Sequence, residues 1–161
     1  QSEVKTDTSY LDRLKKEIET AKKLSLKVGL PKDVGFYPKK ESTDKPVSVL
    51  LVGAKHEFGS PEDGTPQRSF LRLTVIKNRK LINNMLKKGF TNVLEGNASS
   101  VDTMNKIGLL NQQLVQKTFK SQGFGQWEKL SDATKKEKGD DQILVDTGRL
   151  FQSITYWVDK K

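Results

Sequence analysis

Apolar residues recur at helical intervals near the start of the chain. Tyr10, Leu11, Leu14, Ile18, Ala21 and Leu24 form one stripe on a segment otherwise rich in charge. That spacing predicts a helix from about Ser9 to Lys23, with Ser9 as its cap and Asp12 in its first turn. Leu24, Leu26, Val28 and Leu30 then alternate with polar or small residues, the period of a strand that Pro31 ends. Residues 31–46 hold Pro31, Gly35, Pro38, Lys39, Lys40 and Pro46 and have little to bury, so this stretch reads as a mobile loop. Val47 to Val52 is a compact apolar run whose period fits either a strand or a buried helix; a short helix from a Ser48 cap to about Phe58 is preferred. The connector Gly59–Pro66 is rich in turn formers. A long helix is expected from about Ser69 to Leu94, with Leu71, Val75, Ile82, Leu86 and Val93 on one side and Gly89 as a weak point or bend. Glu95-Gly96-Asn97 stops it.

Another helix is expected to begin at Ser99 or Ser100 and run to about Ser121. Its stripe is Val101, Met104, Ile107, Leu110 or Leu114, Val115 and Phe119, and the short break favours antiparallel packing on its predecessor. Gly123 to Trp127 is a loop with aromatic anchors. Ser131 to Thr134 resembles a short helix start, and Gly139-Asp140-Asp141 a turn. Thr147 to Phe151 suggests one or two helical turns, and Ile154, Tyr156 and Val158 mark a terminal strand. Strands near both ends with helices between them predict a single α+β domain, several helices including a long amphipathic pair packed on a small β-sheet.

Composition narrows the function classes. Apolar residues make up 34% and charged residues 30% of the 161 positions. No stretch approaches the roughly 18 apolar residues of a membrane span, so no membrane partner is expected. Gln1-Ser2-Glu3 opens without an apolar signal region. Without cysteine, neither disulfides nor thiolate metal sites arise. The net charge of +9 is unevenly placed. From Gly64 to Leu94 the sequence carries Arg68, Arg72, Lys77, Arg79, Lys80, Lys87 and Lys88 and no acid. Such a run is either a solvated helix face or a surface for nucleic acid or an acidic partner.

Chemistry is sparse. His56, the sole histidine, is followed by Glu57 but has no second imidazole or cysteine to work with. A general base needs a partner and an orienting group, so no enzymatic activity is expected. Asp140, Asp141 and Asp146 lack the spacing of a calcium loop, and no cofactor motif is present. Phe124 and Trp127 can stack on bases or anchor a core. The distinctive material is a set of phrases without reactive groups. They are Ala54-Lys55-His56-Glu57-Phe58-Gly59, Pro66-Gln67-Arg68-Ser69-Phe70-Leu71-Arg72, Trp127 to Lys135, and Leu144-Val145-Asp146-Thr147-Gly148-Arg149-Leu150 followed by Ser153-Ile154-Thr155-Tyr156.

In that order, these phrases resemble the tail-completion, or virion-morphogenesis, proteins of long-tailed phages and prophages. That family shows a His-Glu-Phe-Gly turn, a Pro-x-Arg-x-Phe-Leu-Arg helix start, a Trp-x-x-Leu-Ser-x-x-Thr segment and an Asp-Thr-Gly-x-Leu-x-x-Ser-Ile ending. The matches are spread over residues 47–158. The resemblance implies a non-enzymatic virion protein at the head-proximal end of the tail. It implies a ring of identical subunits, six in number, meeting tail-tube, terminator or neck proteins and assembled in the host cytoplasm. The tail terminator of the same region is the alternative within the family. Expected subunit or partner contacts are His56, Glu57, Phe58, Arg68, Phe70, Arg72, Trp127, Asp146 and Arg149. Arg68 and Arg72 beside Phe70 either form a docking patch for a neighbour's carboxylates or lock the preceding loop onto the long helix. Lys77, Arg79, Lys80, Lys87 and Lys88 form a basic surface facing an acidic protein or, passively, DNA in the channel. The reading from another class is a basic, non-specific nucleic-acid-binding protein.

Overall fold

The computed structural model describes residues 8–37, 46–130 and 148–160. Helix α1 spans Ser9–Lys23, strand β1 Leu24–Gly29 and helix α2 Val49–Phe58. After a single 3-10 turn at Pro61–Asp63 come α3, Leu71–Glu95, and α4, Ser100–Lys120. A short helix α5, Arg149–Gln152, precedes strand β2, Thr155–Lys160. The strands pair antiparallel, from Leu24 opposite Lys160 to Gly29 opposite Thr155. The expected α+β architecture, helices on a small sheet built from strands near both ends, is therefore what forms.

The long helices pack antiparallel at close range. Thr74 of α3 and Thr118 of α4 share a hydrogen bond of 2.5 Å in the interior. Farther along, a β-carbon on Gly89 would lie 2.6 Å from Thr103 Cγ2. Helix α3 runs through Gly89 without a break, and this glycine admits the close approach of Thr103. The sheet lies on α4, where a β-carbon on Gly108 would lie 2.2 Å from the Tyr156 ring of β2. The core gathers Val49, Phe70, Val115, Phe119, Trp127, Leu150 and Ile154. Phe119 stands at its centre, 4.9 Å from Phe70 and edge-on to Trp127 and Phe151 at 5.7 and 5.9 Å. Such pairs add about 1 kcal/mol each to the burial of the rings themselves.

Other expectations change in detail. The Val47–Val52 run is helical from Val49 onward, and Ser48 Oγ accepts from the Leu51 amide as expected of a cap. Ser9 lies inside α1; Thr8 takes the cap position without a side-chain bond. The apolar stripe of α1 is only partly covered, with Leu11 and Ile18 exposed, because the helix docks through polar groups. Arg13 donates to the Val93 and Leu94 carbonyls at the end of α3, and Glu17 accepts from the Ser100 amide at the start of α4. The proline-rich stretch also buries more than its composition suggests. Val34 and Tyr37 pack against the core, and the Tyr37 amide donates to the Val47 carbonyl at 2.8 Å. The rest of that stretch, 38–45, lies outside the described residues, as do the expected helix start at 131–134 and the turn at 139–141. Among the described residues no helix is long and apolar enough to cross a membrane.

Candidate functional site

The sequence phrases converge where α2 ends and α3 begins. Glu57 falls in the last turn of α2, and Gly59 then leaves the helix at a φ of +78° that disfavours a side chain. Ser60 and Thr65 pair across the 3-10 turn, and Lys55 and Asp63 form an ion pair over it. The hydrogen bond from Lys55 holds the Asp63 carboxyl down to about 2. The returning chain is then fixed beside α2: the Arg68 amide donates to the His56 carbonyl at 2.7 Å, and Gln67 Nε2 to the Glu57 carbonyl at 3.1 Å.

This reversal carries the Glu57 carboxylate to the start of α3. Its Oε2 accepts from the Phe70 and Leu71 amides, both at 2.8 Å, and its Oε1 from the Arg72 amide at 3.0 Å and Ser69 Oγ at 2.6 Å. A helix begins with amides that lack intrahelical partners and with a partial positive charge. Glu57 satisfies both from 13 residues upstream. Phe70 holds the cap position but has no side-chain oxygen to offer, so the cap is supplied from a distance.

A second tie joins the same junction to the segment after α4. Arg68 is buried, and its Nε and Nη2 donate to the Glu128 carbonyl at 3.2 and 3.1 Å. Burial lowers the pKa of this guanidinium, with the Glu128 charge opposing. Trp127 Nε1 donates to the Ser69 carbonyl at 3.2 Å while its ring covers Phe119. The ring folds over the preceding turn, where Gly123 has a φ of +66° and a β-carbon would sit 2.3 Å from Trp127 Cδ1. No larger residue fits there.

The expected contact residues thus separate. Glu57, Arg68, Phe70 and Trp127 are buried and bond within the chain, so Arg68 acts as the internal lock rather than a docking fork. Burial also removes Trp127 from any stacking on bases. His56 and Arg149 are half-buried, while Phe58 and Arg72 reach the surface. Asp146 lies outside the described residues. Lys77, Arg79, Lys80, Lys87 and Lys88 are all exposed. Among the described residues no three His, Asp or Glu side chains come together as a metal site, and Asp140 and Asp141 are not among them.

Beside this junction lies an exposed apolar surface that no motif marks. Phe58, 71% exposed, stands between two apolar clefts. One, of about 530 Å³, is lined by Leu26, Val28, Leu71, Arg72, Val75 and Asn111 among others. The other, of about 280 Å³, includes Leu30, Leu50, Ala54 and Trp157. The signal for it was Leu50 and Phe58 falling off the buried face of α2; Val75, expected on the apolar stripe of α3, is instead left exposed beside them. No family model, curated protein or solved structure matches the chain.

Proposed function

We propose that this chain is a structural subunit of a long-tailed phage, a tail-completion protein that forms a ring at the head-proximal end of the tail. The observation that carries this reading is the junction at Glu57. The described parts of the family-like phrases, from His56–Gly59, Pro66–Arg72 and Trp127 onward, are joined to one another by hydrogen bonds and shared packing. Glu57, Arg68 and Trp127 form hydrogen bonds with backbone groups of this chain, which supports a role in shape. The face left for partners is Phe58 with its flanking apolar clefts and Arg72, a surface suited to the head-to-tail contacts that close rings. A tail terminator would use the same junction and the same face.

The test is a phage with this coding sequence removed, imaged by negative stain. Unfinished or unjoined tails, restored by supplying the protein in trans, are the expected result. Infectious particles of normal shape would overturn the reading. Antibody labelling of the tail end distinguishes a subunit that remains in the finished particle from one that only assists assembly.

A further inference from the structure

Apart from Arg72, whose amide meets Glu57, the solvent face of α3 has no role in the junction, and its chemistry is distinct. From Leu71 to Leu94 the helix carries six cations and no acid. At 100° per residue, Lys80 and Lys87 occupy the middle of the exposed face, Lys77 and Lys88 one shoulder, and Arg72 and Arg79 the other. All six are exposed. The ion pairs between described residues are Lys22–Glu19, Lys27–Asp159 and Lys55–Asp63, and none involves α3. Arg72 and Lys88 stand about 24 Å apart along the axis, the rise of about seven base pairs of duplex.

We infer that this face binds the phosphate backbone of duplex nucleic acid without reading its sequence. The residue types favour that partner over an acidic protein. Lysine is depleted where proteins dock on one another, whereas aromatic side chains and arginine are enriched. Here the central residues are lysines separated by Asn83, Asn84 and Thr91, which donate to phosphate oxygens. Of the exposed apolar groups of α3, Ile76 alone lies among these cations, between Arg72 and Lys80; Val75 turns toward the cleft beside Phe58, Leu81 is on the margin and Leu94 follows the last lysine. About four phosphate contacts give weak, salt-sensitive binding that allows a duplex to slide, so the face can border a path through which DNA moves. The inference does not rest on the tail reading.

The experiment titrates the full chain with a fluorescent 30-base-pair duplex of arbitrary sequence at several salt concentrations, beside poly-glutamate of matched total charge. Affinity for the duplex is expected to fall about 100-fold between 50 and 200 mM salt and to be indifferent to sequence. The double variant Lys80→Gln/Lys87→Gln should lower the salt slope by about two and weaken binding at 50 mM salt by roughly tenfold or more. These side chains are exposed, so the variant keeps its fold, which circular dichroism verifies. Lys15→Gln/Lys16→Gln on α1, with the same change in charge, should leave the slope near that of the parent. Equal losses in the two variants would mean diffuse attraction and overturn the inference. So would absence of duplex binding at 50 mM salt, or equal or tighter binding of poly-glutamate, which would indicate an acidic protein partner.

Discussion

Glu57 shows how one side chain can decide where a helix starts. Its carboxylate accepts from three backbone amides and the Ser69 hydroxyl in a buried setting. Glu57→Ala leaves those donors short of partners and removes the charge that the helix start favours, a loss of about 3 kcal/mol. Glu57→Gln retains an acceptor but not the charge, and should lose about half as much. Urea denaturation followed by far-ultraviolet circular dichroism reads both as shifts in midpoint. Gly123→Ala tests a different limit, because the new methyl group meets the Trp127 ring on a backbone that already disfavours side chains. It is expected to lower stability by about 2 kcal/mol, with a change in tryptophan fluorescence as the ring is displaced. The sequence marked Glu57, Arg68, Phe70 and Trp127 as a set but left their use open. Capping rules look for a side chain within the same turn. Glu57 reaches its amides only after the chain reverses through Gly59 and Thr65, and no periodicity records that path.

Among the elements, helix limits were the most legible feature. The range of α1 matches its expected span, and α3 and α4 differ from theirs by a residue or two, since long amphipathic stripes and glycine stops act locally. What each helix packs against was less legible. Helix α1 has the strongest apolar stripe yet is held by Arg13 on the last carbonyls of α3 and Glu17 on the first amide of α4, each charge placed where the helix end favours it. The hydrogen bond from the Ser100 amide, with that from its side chain, lowers the Glu17 pKa. A carboxylate with a lowered folded-state pKa stabilises fully above the ordinary glutamate range and loses that contribution as pH falls through the lowered value. Acidification below about pH 4.5 should therefore loosen α1 before α4. Hydrogen exchange resolved by segment would show α1 amides losing protection first. Glu17→Gln should make α1 less protected at neutral pH and remove this acid dependence.

For the molecule as a whole, the core joins distant parts of the chain. Val49 of α2, Phe70 before α3, Phe119 of α4, Trp127, Leu150 of α5 and Ile154 before β2 share one interior. Unfolding should thus be one cooperative transition, with fluorescence and circular dichroism curves that coincide. Removing residues 154–161 strips the fully buried Ile154 and the only strand partner of β1 among the described residues, and is expected to abolish that transition. The α+β class was legible because alternating apolar residues stand near both ends of the chain. That the sheet rests on α4 was not, since it depends on Gly108 admitting the Tyr156 ring, and one glycine in a helical stripe carries no such message. The pairing of β1 with β2 also bears on how the protein is made. Once β1 has left the ribosome, more than a hundred residues must follow before its partner emerges. Throughout that interval the nascent chain holds an open strand edge that another polypeptide can capture, so production at high expression rates should be limited by aggregation during translation rather than by instability of the finished molecule.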